Sequence, residues 1–405
     1  MLQGESRQLP TLTADEAMKL LGVQRSTLYA YVSRGYLRRW RGPDRRSRFL
    51  AEDVERVRER GRRRSVERPL LSVQSTITAV SADALFFRGL NALDLARTSS
   101  FEEGAAWLWT GSTSAGLAWT SDDAAMAVGR AVQEALPATV LPLDRLRVSA
   151  AAIAATDPLR YDTGTEAVLV TARRQIAALV DCLPMRTGQQ DAGGTIAARL
   201  WMRLGGADPR PEHIRLLDAV LVLLLDHELS MSTLSARLAA SIQADPYAVV
   251  SVGLSALGGP LHAVASLAAE DLLAEIRTPD RAAIAIGDRL RRGDRVPGLG
   301  HRLHTAGDPR ARFVLDAMRE VFPAELGVLE ALLRAAAERS LPPANIDMAL
   351  AALVRSAGMV RGASEAIFAV ARSAGWIAHA LEVYAAGDEA VPSVIYVGSR
   401  TGPER

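Results

Sequence analysis

Four separated stretches hold most of the side chains able to do chemistry. They are Asp226-His227-Glu228 with Ser230 to Arg237, Gly258-Gly-Pro-Leu-His262, Pro297 to Arg310, and Asn345-Ile-Asp347 with Arg372 and His379 downstream. The third stretch includes His301, His304, Asp308 and Arg310. Imidazole and carboxylate groups move protons, and a guanidinium holds a carboxylate at two points. The residue types therefore suit proton transfer beside an anion. No histidine pair has the His-Glu-x-x-His spacing that sets two zinc ligands on one helix face, so no metal is called for. Each stretch alone has an ordinary explanation. A lone His on an apolar helix is usually a core residue, and Gly-Gly-Pro and Gly-Leu-Gly are loop signals. Asp347 could cap a helix, and Arg372 could be half of an ion pair.

Taken in order and spacing, the stretches resemble the citrate synthases. That family shows His-Glu then Ser-Thr, Gly-Pro-Leu-His, Gly-x-Gly-His-Arg with Asp-Pro-Arg, Asn-x-Asp, and Arg-x-x-Gly-Trp. All five occur here, and Phe87-Arg-Gly89, Ser99 to Glu103 and Trp107 to Gly111 resemble the family's earlier motifs. The resemblance covers roughly residues 70–400. It implies an acyltransferase that condenses an acyl-CoA with oxaloacetate or a related 2-oxo acid and releases CoA. A thioester α-carbon is a poor acid, so a base must act together with a hydrogen-bond donor to the thioester oxygen. By the resemblance Asp347 is the base, His262 that donor, and His301 the donor to the ketone oxygen. His227, Arg310 and Arg372 hold the oxo acid's carboxylates. The CoA thioester is a substrate, and no resident cofactor is implied. A homodimer and closure of a small domain over a large one are also implied.

The chain departs from the family pattern at a few positions. Val391 stands where the family commonly has an arginine reaching from the partner subunit. Ala263 follows His262 where glycine is frequent, and Met348 follows Asp347 where an aromatic is frequent. His304 stands where an aromatic is common, one turn from His301, and is a candidate pocket residue. His213 reads as a surface residue and His379 as a structural one.

The elements that must position these groups are helical. From Leu70 to Gly398 apolar residues recur at helical spacing, as in Phe101–Leu108, Ile214–Leu225 and Ala366–Tyr384, with strand signals only near Leu71–Ala79 and Leu85–Arg88. The expected fold class is all-α, with large and small citrate-synthase-like helical domains behind a small winged helix-turn-helix domain. The expected domains are 1–64, then 65–263 with 363–405 as the large domain, and 264–362 as the small one.

The amino-terminal segment reads differently. Thr13 with Glu16 forms a capping box for a helix whose apolar face is Ala17, Leu20 and Leu21. A second helix spans about Gln24 to Arg34 with Leu28 and Val32 inward, two short strands flank Gly42-Pro43-Asp44, and Ala51 to Arg64 is helical. This resembles winged helix-turn-helix domains of the MerR and excisionase type. Gln24, Arg25, Ser26, Thr27 and Tyr29 would then meet base edges, making DNA a partner. Charge agrees. Residues 1–68 carry 17 basic and 9 acidic side chains, a net of +8, whereas residues 69–405 carry 31 and 37, a net of −6. A second reading follows, of a DNA-binding regulator whose family domain senses a metabolite. With one cysteine, Cys182, no intramolecular disulfide can form. No apolar run approaches the ~20 residues of a membrane span. A cytoplasmic protein is expected.

Overall fold

The computed structural model describes residues 11–21, 23, 25–33, 36–41, 47–51, 53–54, 73–113, 118–186, 193–259 and 264–387. Two compact units comprise residues 1–74 and 75–405.

In the first unit β1 (Thr11–Thr13) leads into α1 (Ala14–Leu21) and α2 (Arg25–Ser33), followed by β2 (Arg39–Arg41) and β3 (Ser47–Leu50). The Thr13 amide donates to the Glu16 carboxylate at 2.8 Å and the Glu16 amide to Thr13 Oγ1 at 3.3 Å, which closes the expected capping box. The sheet order is β1-β3-β2, antiparallel throughout. Its core is Ala14, Ala17, Leu28, Leu37, Phe49 and Val54. Leu20 does not join it and is 41% exposed. The inward stripe of α1 is instead buried Ala14 and Ala17 with partly buried Met18 and Leu21, at i, i+3, i+4 and i+7, and Leu20 falls outside it. Asp53 is buried and takes Arg38 at both oxygens, 2.8 and 3.0 Å. The Gly42-Pro43-Asp44 turn lies outside the described residues.

The second unit opens with a small meander of β4 (Thr78–Val80), β5 (Leu85–Phe87) and β6 (Leu90–Asn91). Its first strand thus begins at Thr78; Leu71 lies outside the described residues. Helices dominate the rest. They are α3 (Ala92–Thr98), α4 (Phe101–Thr110), α5 (Asp123–Ala135), α6 (Pro142–Ala154) and α7 (Thr165–Asp181). Next come α8 (Ile196–Leu204), α9 (Pro211–Leu224), α10 (Met231–Ser241), α11 (Pro246–Leu257) and α12 (Val264–Glu275). The last are α13 (Ala282–Arg292), α14 (Pro309–Val321), α15 (Gly327–Ala337), α16 (Ile346–Ser356) and α17 (Ala363–Ala386).

The centre of this unit is α17. Twenty of its 24 residues are buried, and its many alanines, with Ser364, Ser373 and Gly375, let neighbours approach closely. A β-carbon on Gly375 would lie 2.1 Å from the Leu225 carbonyl oxygen, so only glycine admits the end of α9 at this point. That contact sets Asp226-His227 beside the middle of α17, where Arg372 sits. On the other side α12 packs along α16. No helix among the described residues is long and apolar enough to cross a membrane.

Candidate active site

Two loops and two helix starts are tied together by backbone-anchored bonds. The Gly300 amide donates to the Pro343 carbonyl at 2.7 Å, and the Asn345 amide to the Gly298 carbonyl at 2.9 Å. Asn345 Nδ2 donates to the Gly300 carbonyl at 2.9 Å, while its Oδ1 accepts from the amides of Asp347 and Met348 and so caps α16. Gly298 has φ +77°, and a β-carbon there would stand 2.8 Å from that of Met348. Asp308 completes the wiring. It caps α14 through the Arg310 amide, accepts from the Ile346 amide at 3.1 Å, and takes Arg310 Nε and NH2 at 3.0 and 2.8 Å. His301, Arg310 and Asp347 are thereby brought to one place.

Their protonation follows from their neighbours. His301 Nδ1 accepts from the backbone amides of Leu303 and His304, both at 3.1 Å. That nitrogen is therefore unprotonated, and the neutral ring carries its hydrogen on Nε2. Burial, reinforced by the Arg310 charge, lowers the His301 pKa to about 4, so the ring is neutral at neutral pH. Asp347 accepts from Ser266 Oγ at 2.5 Å. Burial raises the Asp347 pKa above the usual carboxylate value, with Ser266 and Arg310 pulling it back.

Three histidine rings meet beside these groups. The rings of His227, His301 and His304 lie 4.7 to 5.3 Å apart. His227 Nε2 is 3.1 Å from His304 Nε2, and His304 Nδ1 is 2.9 Å from the Ala82 carbonyl. Burial first, then Arg310 and Arg372, holds His227 far below the usual imidazole range. Glu228, next to it, has φ 55°, a left-handed backbone that a non-glycine residue adopts at a cost of about 1 kcal/mol or more. Arg372 is 1% exposed. Its Nε donates to the Leu224 carbonyl at 2.9 Å and its guanidinium lies 4.6 Å from the Phe368 ring centre. Its NH2 is buried and has no hydrogen-bond partner among the described residues. Burial lowers the Arg372 pKa to about 10, against the pull of Asp226.

His227, His301, Arg310, Asp347 and Arg372 thus share one region, joined by His304. His262, Ala263 and Val391 lie outside the described residues. His379 is buried between Asp226, 3.4 Å from its Nε2, and Arg237, 2.9 Å from its Nδ1. His213 is not a surface residue. It is 8% exposed and stacked between Trp201 and Phe322 at 4.7 and 5.0 Å, because the start of α9 turns its ring inward. Two site residues carried no role in the sequence reading. Asp308 was legible as an Asp-Pro helix cap, whereas Ser266 sits in an apolar helix with no local signal. A cavity of about 910 Å³ opens elsewhere, among Arg130, Pro142, Cys182 and Arg203, and holds none of these groups. In the first unit Arg25 is exposed, and Thr27 and Tyr29 are partly buried. The Tyr29 hydroxyl is 3.4 Å from Ser47 and its ring lies under Arg39. Gln24 and the Ser26 side chain lie outside the described residues.

The family model for the citrate synthase C-terminal domain matches residues 68–391. The chain belongs to the citrate synthase family. A helix-turn-helix domain model matches residues 11–62. Citrate synthase of Haloferax volcanii is 30% identical over 363 residues, covering 82% of this chain and 94% of that one. Citrate synthase 2 of Bacillus subtilis is 32% identical over 216 residues, 52% of this chain; the match spans only 57% of the Bacillus protein. The solved citrate synthase of Pyrobaculum aerophilum superposes with a TM-score of 0.68 at 25% identity, over 83% of this chain and 92% of that one.

Proposed function

We propose that residues 75–405 condense acetyl-CoA, or another acyl-CoA, with oxaloacetate or a related 2-oxo acid and release CoA. The observation that carries this is the Arg372 guanidinium, fully buried with Nη2 unpartnered among the described residues, close to His227 and Arg310. Asp226 offsets the charge of this guanidinium, but a buried charged donor without a hydrogen-bond acceptor costs about 1–3 kcal/mol, so the open nitrogen is a place for a ligand oxygen. Asp347 removes the α-proton of the thioester, and its raised pKa makes it a stronger base than an exposed carboxylate. His262 donates to the thioester oxygen as charge develops there. The resulting enol attacks the ketone carbon, and His301 Nε2–H meets the ketone oxygen. His227, Arg310 and Arg372 hold the carboxylates. Water then hydrolyses the thioester adduct, and CoA leaves. No resident cofactor takes part.

In this reading residues 264–362 are a small domain closing over the large domain of 65–263 and 363–405, in a cytoplasmic homodimer. The helix-turn-helix match and the +8 charge of residues 1–68 favour a second activity, DNA binding through Gln24, Arg25, Ser26, Thr27 and Tyr29. The alternative is a regulator whose family domain senses rather than converts its ligands. Free CoA is measured with acetyl-CoA or propionyl-CoA against a panel of 2-oxo acids. Release with at least one pair is expected, and unchanged by removing residues 1–64. No release with any pair, together with salt-sensitive binding to a defined DNA site, overturns the enzyme in favour of the sensor. Val391→Arg is expected to increase oxaloacetate use.

A further inference from the structure

We propose that His304 is a positioning residue that fixes His227 as the Nε2–H tautomer and leaves Nδ1 as its bare nitrogen. The proposal deepens the reading above and rests on it for the effect on substrate, though not for the tautomer itself. The argument is a count of hydrogens along one chain of contacts. The Ala82 carbonyl can only accept, so the His304 nitrogen facing it, Nδ1 at 2.9 Å, must carry a hydrogen. In a neutral ring His304 Nε2 is then an acceptor. The atom facing it at 3.1 Å, His227 Nε2, must therefore be the donor. His227 is left with a lone pair on Nδ1.

The alternative is a charged His304 that donates from both nitrogens. It would place a further cation, itself 1% exposed, in a region already holding Arg310 and Arg372. The nearby carboxylate, Asp308, already gives both oxygens to Arg310. The other titratable group against the pair, His301, is neutral and stacked on His304 at 4.7 Å. A second proton on His304 would have to share Asp308 with Arg310.

The consequence changes how His227 meets its ligand. With its one hydrogen committed to His304, a neutral His227 has no donor left for a carboxylate. Holding a carboxylate at Nδ1 requires a second proton, so in the resting site the anion's charge falls on Arg310 and Arg372. His227 is held to an acceptor's geometry by a residue that stands behind it.

The test is a long-range proton–nitrogen NMR spectrum of the full-length protein with labelled histidine, His227 being assigned by its loss in His227→Asn. Wild type is expected to show a hydrogen on Nε2 and a bare Nδ1. His304→Gln can still donate to Ala82 and accept from His227, and should keep that pattern. His304→Phe keeps the ring stack but removes both contacts, and should lose the tautomer preference. In the CoA-release assay the phenylalanine variant lets His227 place its hydrogen on Nδ1 and donate, so KM for the oxo acid should fall about fivefold, with KM for the acyl-CoA changed less than about twofold. A wild-type His227 with its hydrogen on Nδ1 overturns the proposal without any variant. So does a His304→Phe protein whose His227 still shows Nε2–H. If no substrate pair turns over, the reading above fails while the spectrum still decides the tautomer.

Discussion

The part of the site that carries Asp347 and His301 is held by a mesh of backbone amides, whereas His227 and Arg372 are each held, among the described residues, by one ring and at most one carbonyl. In the first, amides of Gly300, Asn345 and Ile346 tie two loops and two helix starts into one unit. Each functional group there sits one or two residues from a fixed peptide. By contrast, His227 depends on His304, and Arg372 on the Leu224 carbonyl and the face of Phe368. Backbone wiring suits proton transfer, which tolerates little displacement. Such sparse support leaves His227 and Arg372, two of the proposed carboxylate holders, open to change by single substitutions. The substrate preference should therefore be easier to alter than the proton chemistry.

Four substitutions break or sharpen this contrast. Asp347→Ala removes the base itself, and turnover should fall on the order of a thousandfold while calorimetry still finds acyl-CoA binding. Normal turnover in that variant would remove Asp347 from the mechanism. Arg372→Met strips a charged donor from the sparsely supported part. KM for the oxo acid should rise about a hundredfold, with kcat changed far less. An unchanged oxo acid KM would mean the anion sits elsewhere. Asn345→Ala cuts the link from Gly300 to the start of α16. Loss of this cap should cost about 1–2 kcal/mol, seen as a melting point lower by a few degrees, and kcat should fall while the oxo acid KM moves little. The reverse pattern would erase the distinction between the two parts.

Ser266→Ala is the mildest change. The serine hydroxyl favours the ionised Asp347, so its loss must move the already raised pKa further up. A base works only when ionised, and activity is lost as pH falls through that pKa. The acid limb of kcat/KM should thus shift to higher pH. A limb that stays in place, or moves down, would show that a different group sets it.

Much of this was legible along the chain. The long apolar periodicities became α4, α9 and α17, and Thr13 with Glu16 became the capping box they spell. The Asp-Pro-Arg and Asn-x-Asp runs became helix caps as well as site residues, because a side chain that caps a helix start is already fixed beside its first turn. Local pattern failed where packing chose between faces. Leu20 is apolar yet lies off the stripe that α2 and the sheet cover, and His213 sits among charged neighbours yet turns in between Trp201 and Phe322. Neither choice is visible without knowing what lies opposite.

The sequence by itself determined the residue types, their order and the family they belong to. Those are chemical facts carried by each residue and its near neighbours. Only the tertiary structure decided which nitrogen of His301 holds a hydrogen, and that burial raises the Asp347 pKa while Ser266 pulls it back. Protonation is set by what stands within a few ångströms, and here some of those partners are distant in the chain. Ser266 reaches Asp347 across 81 residues, and Ala82 reaches His304 across 222.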